Sequence, residues 1–333
     1  MFLKPYLLFL GDVKGEPLTK TAFGLRDWAP EDIVGQCRLA GCDVDLGLAE
    51  MTPSEAAFGG ARSLLIGAAP IGGAVQPTWI PSLVAALEAG LDLVSGLHTR
   101  LGDIPELAEA AQRLGRRLHD VRHDDRPFPI ASGRKRTGKR LLTVGTDCAL
   151  GKKYAALAIA RALKARGIDV DFRATGQTGI MIAGEGVAID AVVADFVAGA
   201  AETLSPDAEP DHWDVIEGQG ALFHPAYAGV TLGLLHGSQP DALVLCHDTL
   251  RGSVNGFPDY PLPPLDVAIA RYEEAAGLTN PSARVVGISL NTSKMDDAEA
   301  RATIAGVEAA HGLPCFDPLR SNLDGLVARL MAL

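Results

Sequence analysis

Residues 145–154 read Gly-Thr-Asp-Cys-Ala-Leu-Gly-Lys-Lys-Tyr and stand between an apolar run, Leu141 to Val144, and a helical pattern that runs from Tyr154 to Ala165. A glycine-rich turn in that setting lets backbone approach an anion closely and turns successive N–H groups into one concavity. The following helix adds the positive end of its dipole, and Lys152 adds a full charge. Gly145, Thr146, Asp147, Cys148, Ala149, Leu150, Gly151, Lys152, Lys153 and Tyr154 are therefore read as a phosphate-binding, cofactor-holding loop. Five residues separate Gly145 from Gly151, one more than in the strict nucleotide-binding pattern. Where that pattern places a magnesium-binding hydroxyl after the lysine, this chain has Lys153. An ammonium cannot ligate a cation; it repels one and favours a further phosphate oxygen. Such a loop suits a polyphosphate without a metal. Coenzyme A fits, because acyl transfer from it breaks no phosphoanhydride bond, whereas ATP cleavage needs another means of neutralising the transferring group.

Other side chains have the right types for chemistry on an amine. Glu217 follows an apolar run in Val-Ile-Glu-Gly-Gln-Gly and is expected at the carboxyl edge of a parallel sheet, as a general base, an ammonium anchor or a polar group that orients a turn. His224, in Phe-His-Pro-Ala-Tyr, is a second base candidate with a structural role as its alternative. Asp190 either takes the substrate ammonium or caps a helix. Asp147 is a base candidate or a brace for its own loop. Arg173, Thr175, Gln177 and Thr178, within Arg-Ala-Thr-Gly-Gln-Thr-Gly, offer a forked cation and small donors suited to a dicarboxylate or an acyl carbonyl, or else form a salt-bridged loop. Arg100 and His98 follow another apolar run and are candidate carboxylate ligands. His247 and Arg251, in Leu-Cys-His-Asp-Thr-Leu-Arg-Gly, are placed to meet an adenosine or the substrate.

The elements that must carry these residues alternate short apolar runs with helical patterns, the mark of βαβ units and parallel sheets. In the first part, Tyr6–Val13 reads as a strand, 37–48 as a helix end, a turn and a strand, 61–73 as a strand running into a glycine turn, and 104–122 as one helix. Residues 124–138 have charge, proline and glycine but no period and are read as a linker, with Arg134, Lys135 and Arg136 solvated or, as the alternative, anchoring an anionic ligand. The division expected is 1–123, a linker at 124–138, and 139–333. In the last part, strands are expected near 212–220, 241–248 and 283–292. The chain has 333 residues and a formal charge of −11, which argues against a general nucleic-acid binder. No apolar run reaches the roughly 18 residues of a membrane span. The opening Met-Phe-Leu-Lys-Pro-Tyr-Leu-Leu-Phe-Leu runs straight into Gly11-Asp12 and is not read as a signal peptide. Five scattered cysteines are read as reduced, as in a cytoplasmic enzyme. No Gly-x-Gly-x-x-Gly pattern marks a dinucleotide site, so an NAD-dependent reaction is the weakest reading.

The loop spacing resembles that of dethiobiotin synthetase, and Glu217-Gly218-Gln219-Gly220 and the run Gly287–Thr292 are similar to the central-strand and base-contacting segments of that branch of P-loop proteins. There the residue matching Asn291 contacts the nucleotide base. Taken with 172–202 and 215–227, these motifs make the whole chain resemble the DgcN family of D-glutamate N-acetyltransferases. The resemblance implies an α/β protein with a Rossmann-like N-terminal domain and a P-loop-type parallel-sheet C-terminal domain. It also implies acetyl-CoA as cosubstrate, D-glutamate as acceptor and no metal; a homodimer is expected. The D configuration comes from the resemblance alone. An ATP-dependent ligase or kinase of the dethiobiotin-synthetase type is the competing reading, with Lys153 against it.

Overall fold

The computed structural model describes residues 2–123 and 126–333. These residues form two compact units, one of 2–123 with 177–188 and one of 126–176 with 189–333. In the first, β1 (Tyr6–Gly11), β2 (Ile33–Arg38), β3 (Ser63–Ile66), β4 (Asp92–Ser95) and β5 (Leu118–Asp120) form a parallel sheet in the order β2-β1-β3-β4-β5. Every residue of β1 is buried, as expected of a parallel strand covered on both faces. Around the sheet lie α1 (Lys20–Trp28), α2 (Pro53–Phe58), α3 (Ile80–Glu88) and α4 (Pro105–Leu114). α2 opens on a capping box between Thr52 and Glu55, with Pro53 preset for the first turn. Leu7, Phe9, Leu64, Ile66, Trp79, Leu83 and Leu107 make the core of this unit.

The strand order reverses direction between β1 and β3, where an open parallel sheet ordinarily leaves a ligand crevice. Here that crevice is filled. Trp79 is fully buried and donates its indole N–H to Asp12 Oδ1 at 2.7 Å. Gly11 has φ 61°, and any side chain there would overlap the indole. Residues 10–12, at the end of β1 beside that crevice, thus hold a tryptophan in place of a ligand.

In the second unit, β6 (Lys139–Gly145), β7 (Val170–Arg173), β8 (Trp213–Ile216) and β9 (Ala242–Asp248) precede a small antiparallel pair, β10 (Ser253–Val254) with β11 (Phe257–Pro261), followed by β12 (Arg284–Asn291) and β13 (Cys315–Phe316). Apart from that pair, the strands form one parallel sheet, β13-β12-β9-β6-β8-β7. The helices continue as α5 (Lys152–Lys164), α6 (Gln177–Ala183), α7 (Val197–Leu204), α8 (Ala228–Ser238), α9 (Leu265–Gly277), α10 (Asp297–His311) and α11 (Asp324–Met331). α6 falls in the 177–188 segment that groups with the first unit. β6 is central, with β8 on one side and β9 on the other, so the loop after it opens at the switch point of this sheet. Among the described residues, no helix is long and apolar enough to cross a membrane.

Three local readings of the sequence are corrected. Residues 33–38 form β2, and 39–48 carry no helix or strand, because Gly41 and Gly47 with the intervening Asp residues favour turns over either period. The helix expected over 104–122 stops at Gly115, whose φ of 64° ends it, and the chain then enters β5. The basic cluster is not uniformly solvated. Arg134 is exposed and pairs with Asp207, but Arg136 is buried and donates to the carbonyls of Ser205 (2.7 Å), Gly237 (2.8 Å) and Ser238 (3.2 Å). Carbonyls at the ends of α7 and α8 thus find their partner in this segment. Asp124 and Asp125, at the start of the expected linker, lie outside the described residues.

Gly11→Ala is expected to destabilise the first unit by about 1–3 kcal/mol, by overpacking against Trp79 as well as by its left-handed backbone. Urea denaturation followed by tryptophan fluorescence measures it. A variant as stable as the parent would show that the β1/β3 crevice has room to spare.

Candidate functional site

The loop between β6 and α5 turns through two left-handed residues, Ala149 (φ 52°) and Gly151 (φ 108°). Gly151 starts α5 with no side-chain cap, and the first turn of that helix contains no acidic residue. Among the described residues, the N–H groups of Ala149, Leu150 and Gly151 meet no acceptor in the chain. Unsatisfied amides at the start of a helix, curled by left-handed backbone, make an anion-binding concavity. Lys152 is the first residue of α5, is buried, and donates its ammonium to the carbonyl of Asp147 at 2.8 Å. Burial lowers its pKa, against the opposing influence of Cys148, Cys246 and Asp147. Lys153 is half-buried, with its ammonium over the Tyr154 ring at 5.1 Å.

The loop is held from beneath and from the side. Asp147 is fully buried; its Oδ1 accepts from the Cys148 N–H at 2.6 Å, and its Oδ2 from Arg251 Nη1 at 2.7 Å and the Asn255 N–H at 2.8 Å. Arg251 also donates to the Cys148 and Ala149 carbonyls, at 2.7 and 3.2 Å. Of the two readings of Asp147, the structure supports the brace. The Tyr272 hydroxyl, buried on α9, donates to Gly145 O at 2.6 Å and accepts the Leu222 N–H at 3.1 Å. Thr146 Oγ1 meets His247 Nδ1 at 2.9 Å, and burial lowers the pKa of that histidine. Asn291 ends β12 beside β9 and donates to Asp248 Oδ2 at 3.4 Å.

Glu217, one residue past β8, is buried. Its Oε2 accepts the N–H groups of Thr175 and Gly176, both at 3.1 Å, and Thr175 Oγ1 donates to the Glu217 carbonyl at 2.6 Å. Burial raises its pKa, opposed first by the Lys153 charge, then by the two amides and Lys152. A carboxyl held above its ordinary range can exchange a proton nearer neutrality. Gly218 follows, where any side chain would overlap the Thr143 carbonyl, and its N–H donates to Thr143 Oγ1 at 2.9 Å. That contact joins the end of β8 to β6.

His224 is buried between Tyr227 and Phe257, with ring centroids 4.5 and 5.2 Å away. Its Nδ1 accepts the Ala226 N–H at 3.1 Å, which leaves Nε2 to carry the proton of the neutral ring. Polar atoms of His224, Asp147 and Cys148 lie within 4.8 Å of one another. Asp147 is committed to a guanidinium and two amides, and burial raises the Cys148 thiol, so the trio is poorly disposed to hold a cation.

The remaining expected residues are placed elsewhere. Arg173 is not an available fork: it pairs with Asp214 at 2.6 Å and Asp171 at 2.8 Å. Asp190 is exposed inside a single 3-10 turn, Ile189–Ala191, and does not cap a helix. Thr175 positions Glu217. Gln177 and Thr178 belong to the first unit, where Thr178 Oγ1 meets Thr21 Oγ1 at 3.0 Å. Arg100 is exposed in that unit, ahead of the turn Leu101–Asp103. Tyr272, Asn255 and Thr143 escape the sequence reading. Of these only Tyr272 carries a signal, as a tyrosine on the apolar face of a helix whose hydroxyl must find a buried partner.

Comparison with known proteins places the chain. Residues 129–327 match the family described as a domain of unknown function, DUF1611_C, P-loop domain, and residues 37–124 match DUF1611_N, Rossmann-like domain. The chain is 52% identical, over all of its length and all of the other's, to a protein of Tritonibacter scottomollicae named D-glutamate N-acetyltransferase. It is 49% identical to a protein of the same name from a Pseudoalteromonas species, covering 98% of each. A crystal structure of a DUF1611 family protein from Anabaena variabilis matches at 36% identity with a TM-score of 0.85, over 99% of this chain and 100% of that one.

Tyr272→Phe is expected to leave Gly145 O and the Leu222 N–H unpaired in the interior, at a cost of about 1–3 kcal/mol. Thermal unfolding of the variant measures that loss; an unchanged midpoint would mean that the hydroxyl does not clamp the loop. With two domains of the described kinds in the right order and two full-length relatives near half identity, the chain belongs to the DUF1611 family, the family of these two D-glutamate N-acetyltransferases.

Proposed function

We propose that the protein transfers the acetyl group of acetyl-CoA to the amino group of D-glutamate, in the cytoplasm and without a metal. The observation that carries this reading is the 52% identity, end to end, with a protein named for that reaction. The site supports it in three respects. The uncapped start of α5, the left-handed turn and the two adjacent lysines suit a diphosphate, and the residue after Lys152 is a cation where a magnesium ligand would stand in an ATP-cleaving loop. Glu217 is a carboxyl with a raised pKa held by two amides. All five cysteines are unpaired, in keeping with a reducing compartment.

In this reading acetyl-CoA supplies an activated acyl carbon, and the amides of 149–151 with Lys152 and Lys153 hold its phosphates. The amine of D-glutamate attacks the acetyl carbon only as the free base, Glu217 takes its proton, and as the C–N bond forms the C–S bond breaks and CoA leaves as its thiol. Burial keeps the carboxyl basic enough to accept that proton, and the Thr175 and Gly176 amides fix the direction in which it accepts. Lys153 limits the rise in pKa that burial imposes. Arg251 and Asp147 keep the cradle shaped, and His224, with its proton on Nε2, is available as a donor beside Cys148.

Thiol release from acetyl-CoA in the presence of D- and L-glutamate tests the reaction. Release with D-glutamate that persists in EDTA is expected; dependence on magnesium with release of ADP from ATP would restore the ligase or kinase reading. Lys152→Ala should raise the acetyl-CoA KM by about tenfold or more, the worth of a charge-assisted hydrogen bond. Glu217→Gln should lower kcat by about 10²–10⁴ and leave acetyl-CoA affinity intact. Because the Glu217 pKa is raised, the carboxylate form is lost as pH falls through a value above the ordinary carboxylate range, and the parent's rate should fall there with it. The Gln variant should lack that limb, and a variant that retained it would assign the base elsewhere.

A further inference from the structure

The turn after β8 reads Glu217-Gly218-Gln219-Gly220, and both of its glycines are closed to side chains. Gly218 lies against the Thr143 carbonyl of β6. Gly220 has φ 69°, and a side chain there would overlap the Tyr227 carbonyl and Thr231 Oγ1. Thr231, buried on α8, donates its hydroxyl to the Gln219 carbonyl at 2.8 Å. The backbone of Gln219 is thus clamped between β6 and the start of α8. Its side chain is half-buried.

That side chain lies over a third glycine of the same unit. A methyl group at Gly176 would stand 2.4 Å from Gln219 Nε2 and 3.2 Å from Glu217 Oε1. The Gly176 backbone is not left-handed, so what glycine supplies here is space and not conformation. Glu217 Oε2 is taken by the Thr175 and Gly176 amides. Among the described residues, neither Glu217 Oε1 nor the Gln219 side-chain amide meets a hydrogen-bonding partner. Nearby donors are spent: the Thr175 hydroxyl on the Glu217 carbonyl, the Thr143 hydroxyl on the Ile216 carbonyl at 3.4 Å, and the Lys152 ammonium on the Asp147 carbonyl. A carboxyl oxygen open to accept thus flanks, with an amide open to donate, the space that Gly176 leaves. Attack of an amine on a thioester asks for this pair, one group for the proton and one for the carbonyl oxygen. A neutral amide also holds a developing oxyanion without adding a charge that would make Glu217 less basic.

We infer that Gln219 is a catalytic residue of the acetyl transfer, and that its Nε2–H donates to the acetyl carbonyl oxygen as that oxygen gains negative charge. The inference rests on the proposed reading for the reaction and for Glu217 as its base. As the amine nitrogen bonds to the acetyl carbon, the carbonyl electron pair moves onto oxygen, where Gln219 holds it. The pair returns as the C–S bond breaks. The amine proton goes to Glu217, and the sulfur leaves with the C–S electron pair and is protonated to the thiol of CoA.

Thiol release by the full chain, followed against pH, tests it. Gln219→Ala should lower kcat by about 10²–10³, the worth of one donor to an oxyanion, with the acetyl-CoA KM unchanged. The acid limb of the pH profile, set by Glu217, should stay where the parent has it. Gln219→Glu keeps the size but turns an anion toward an oxyanion, and should be slower than the alanine variant; a mere spacer would give the reverse order. Gly176→Ala pushes the amide aside without removing it. It should lower kcat alone and add nothing in the Gln219→Ala background, and alone it serves if the position 219 variants fail to fold. A parent-like kcat in Gln219→Ala, or full additivity of the two substitutions, would overturn the inference and leave the proposed function standing. A displaced acid limb in Gln219→Ala would overturn it too, by giving the amide to the Glu217 carboxyl instead of the carbonyl. A parent that releases no thiol with D-glutamate would overturn the function, and the inference with it.

Discussion

One buried ammonium governs the second unit. Lys152 lies at the start of α5 with its Nζ on the Asp147 carbonyl, and withdrawing such a charge from water costs several kcal/mol unless the surroundings compensate. A helix start makes the problem worse, because its own partial charge is positive. The compensation comes from the carbonyl and the carboxylate of Asp147, within the same loop, and from the carboxyl of Glu217, brought in by the end of another strand. A buried cation arranged in this way is itself an attraction for an anion, and the amides of 149–151 point to the same role.

The geometry that keeps Lys152 in place also poises Glu217. Gly218 has no side chain, so the end of β8 can close on β6 and pass close to the Lys152 stem. The strand end then delivers Glu217 to the amides of Thr175 and Gly176. The two lysines divide their work by exposure. Lys152 is buried and structural as well as attractive; Lys153 is half-buried and is the largest influence holding down a carboxyl pKa that burial raises. A threonine at position 153 would give up that control along with the charge.

The sheets, their parallel sense and the loop–helix junction were legible in the sequence, because continuous apolar runs such as Leu141–Val144 and Ala242–Cys246 belong to strands buried on both faces. The helix after the loop was legible from its spacing and from Gly167. The place of Glu217 just past a strand was legible because a strand pattern ends one residue before it. What was not legible depended on contacts between distant positions. Arg173 looks like a substrate fork until the register of β7 with β8 brings Asp214 opposite Asp171 and within its reach. Asp147 and Arg251, 104 positions apart, give no sign of pairing in a linear reading. Arg136 reads as one more charge in a polar stretch, and only the ends of α7 and α8 make it a buried donor. Segment 177–188 shows why composition misplaces borders: nothing local in Gln177 or Thr178 says that they leave the unit on either side of them.

The two sheets show how little of the function belongs to the fold itself. Both are parallel, both reverse strand order at one point, and both present a glycine as the last residue of the strand beside that point, Gly11 in β1 and Gly145 in β6. In the first unit the glycine admits the Trp79 indole, and the crevice becomes core. In the second, the chain continues through a left-handed turn into a helix that no side chain caps, and the same topological position presents backbone amides of the kind that suit an anion. A Rossmann-like sheet whose switch point is filled cannot use that point to hold a dinucleotide, whatever its strand order suggests. In the proposed reading the phosphates of the cosubstrate therefore belong at the carboxyl edge of β6, beside Lys152, Lys153 and Glu217.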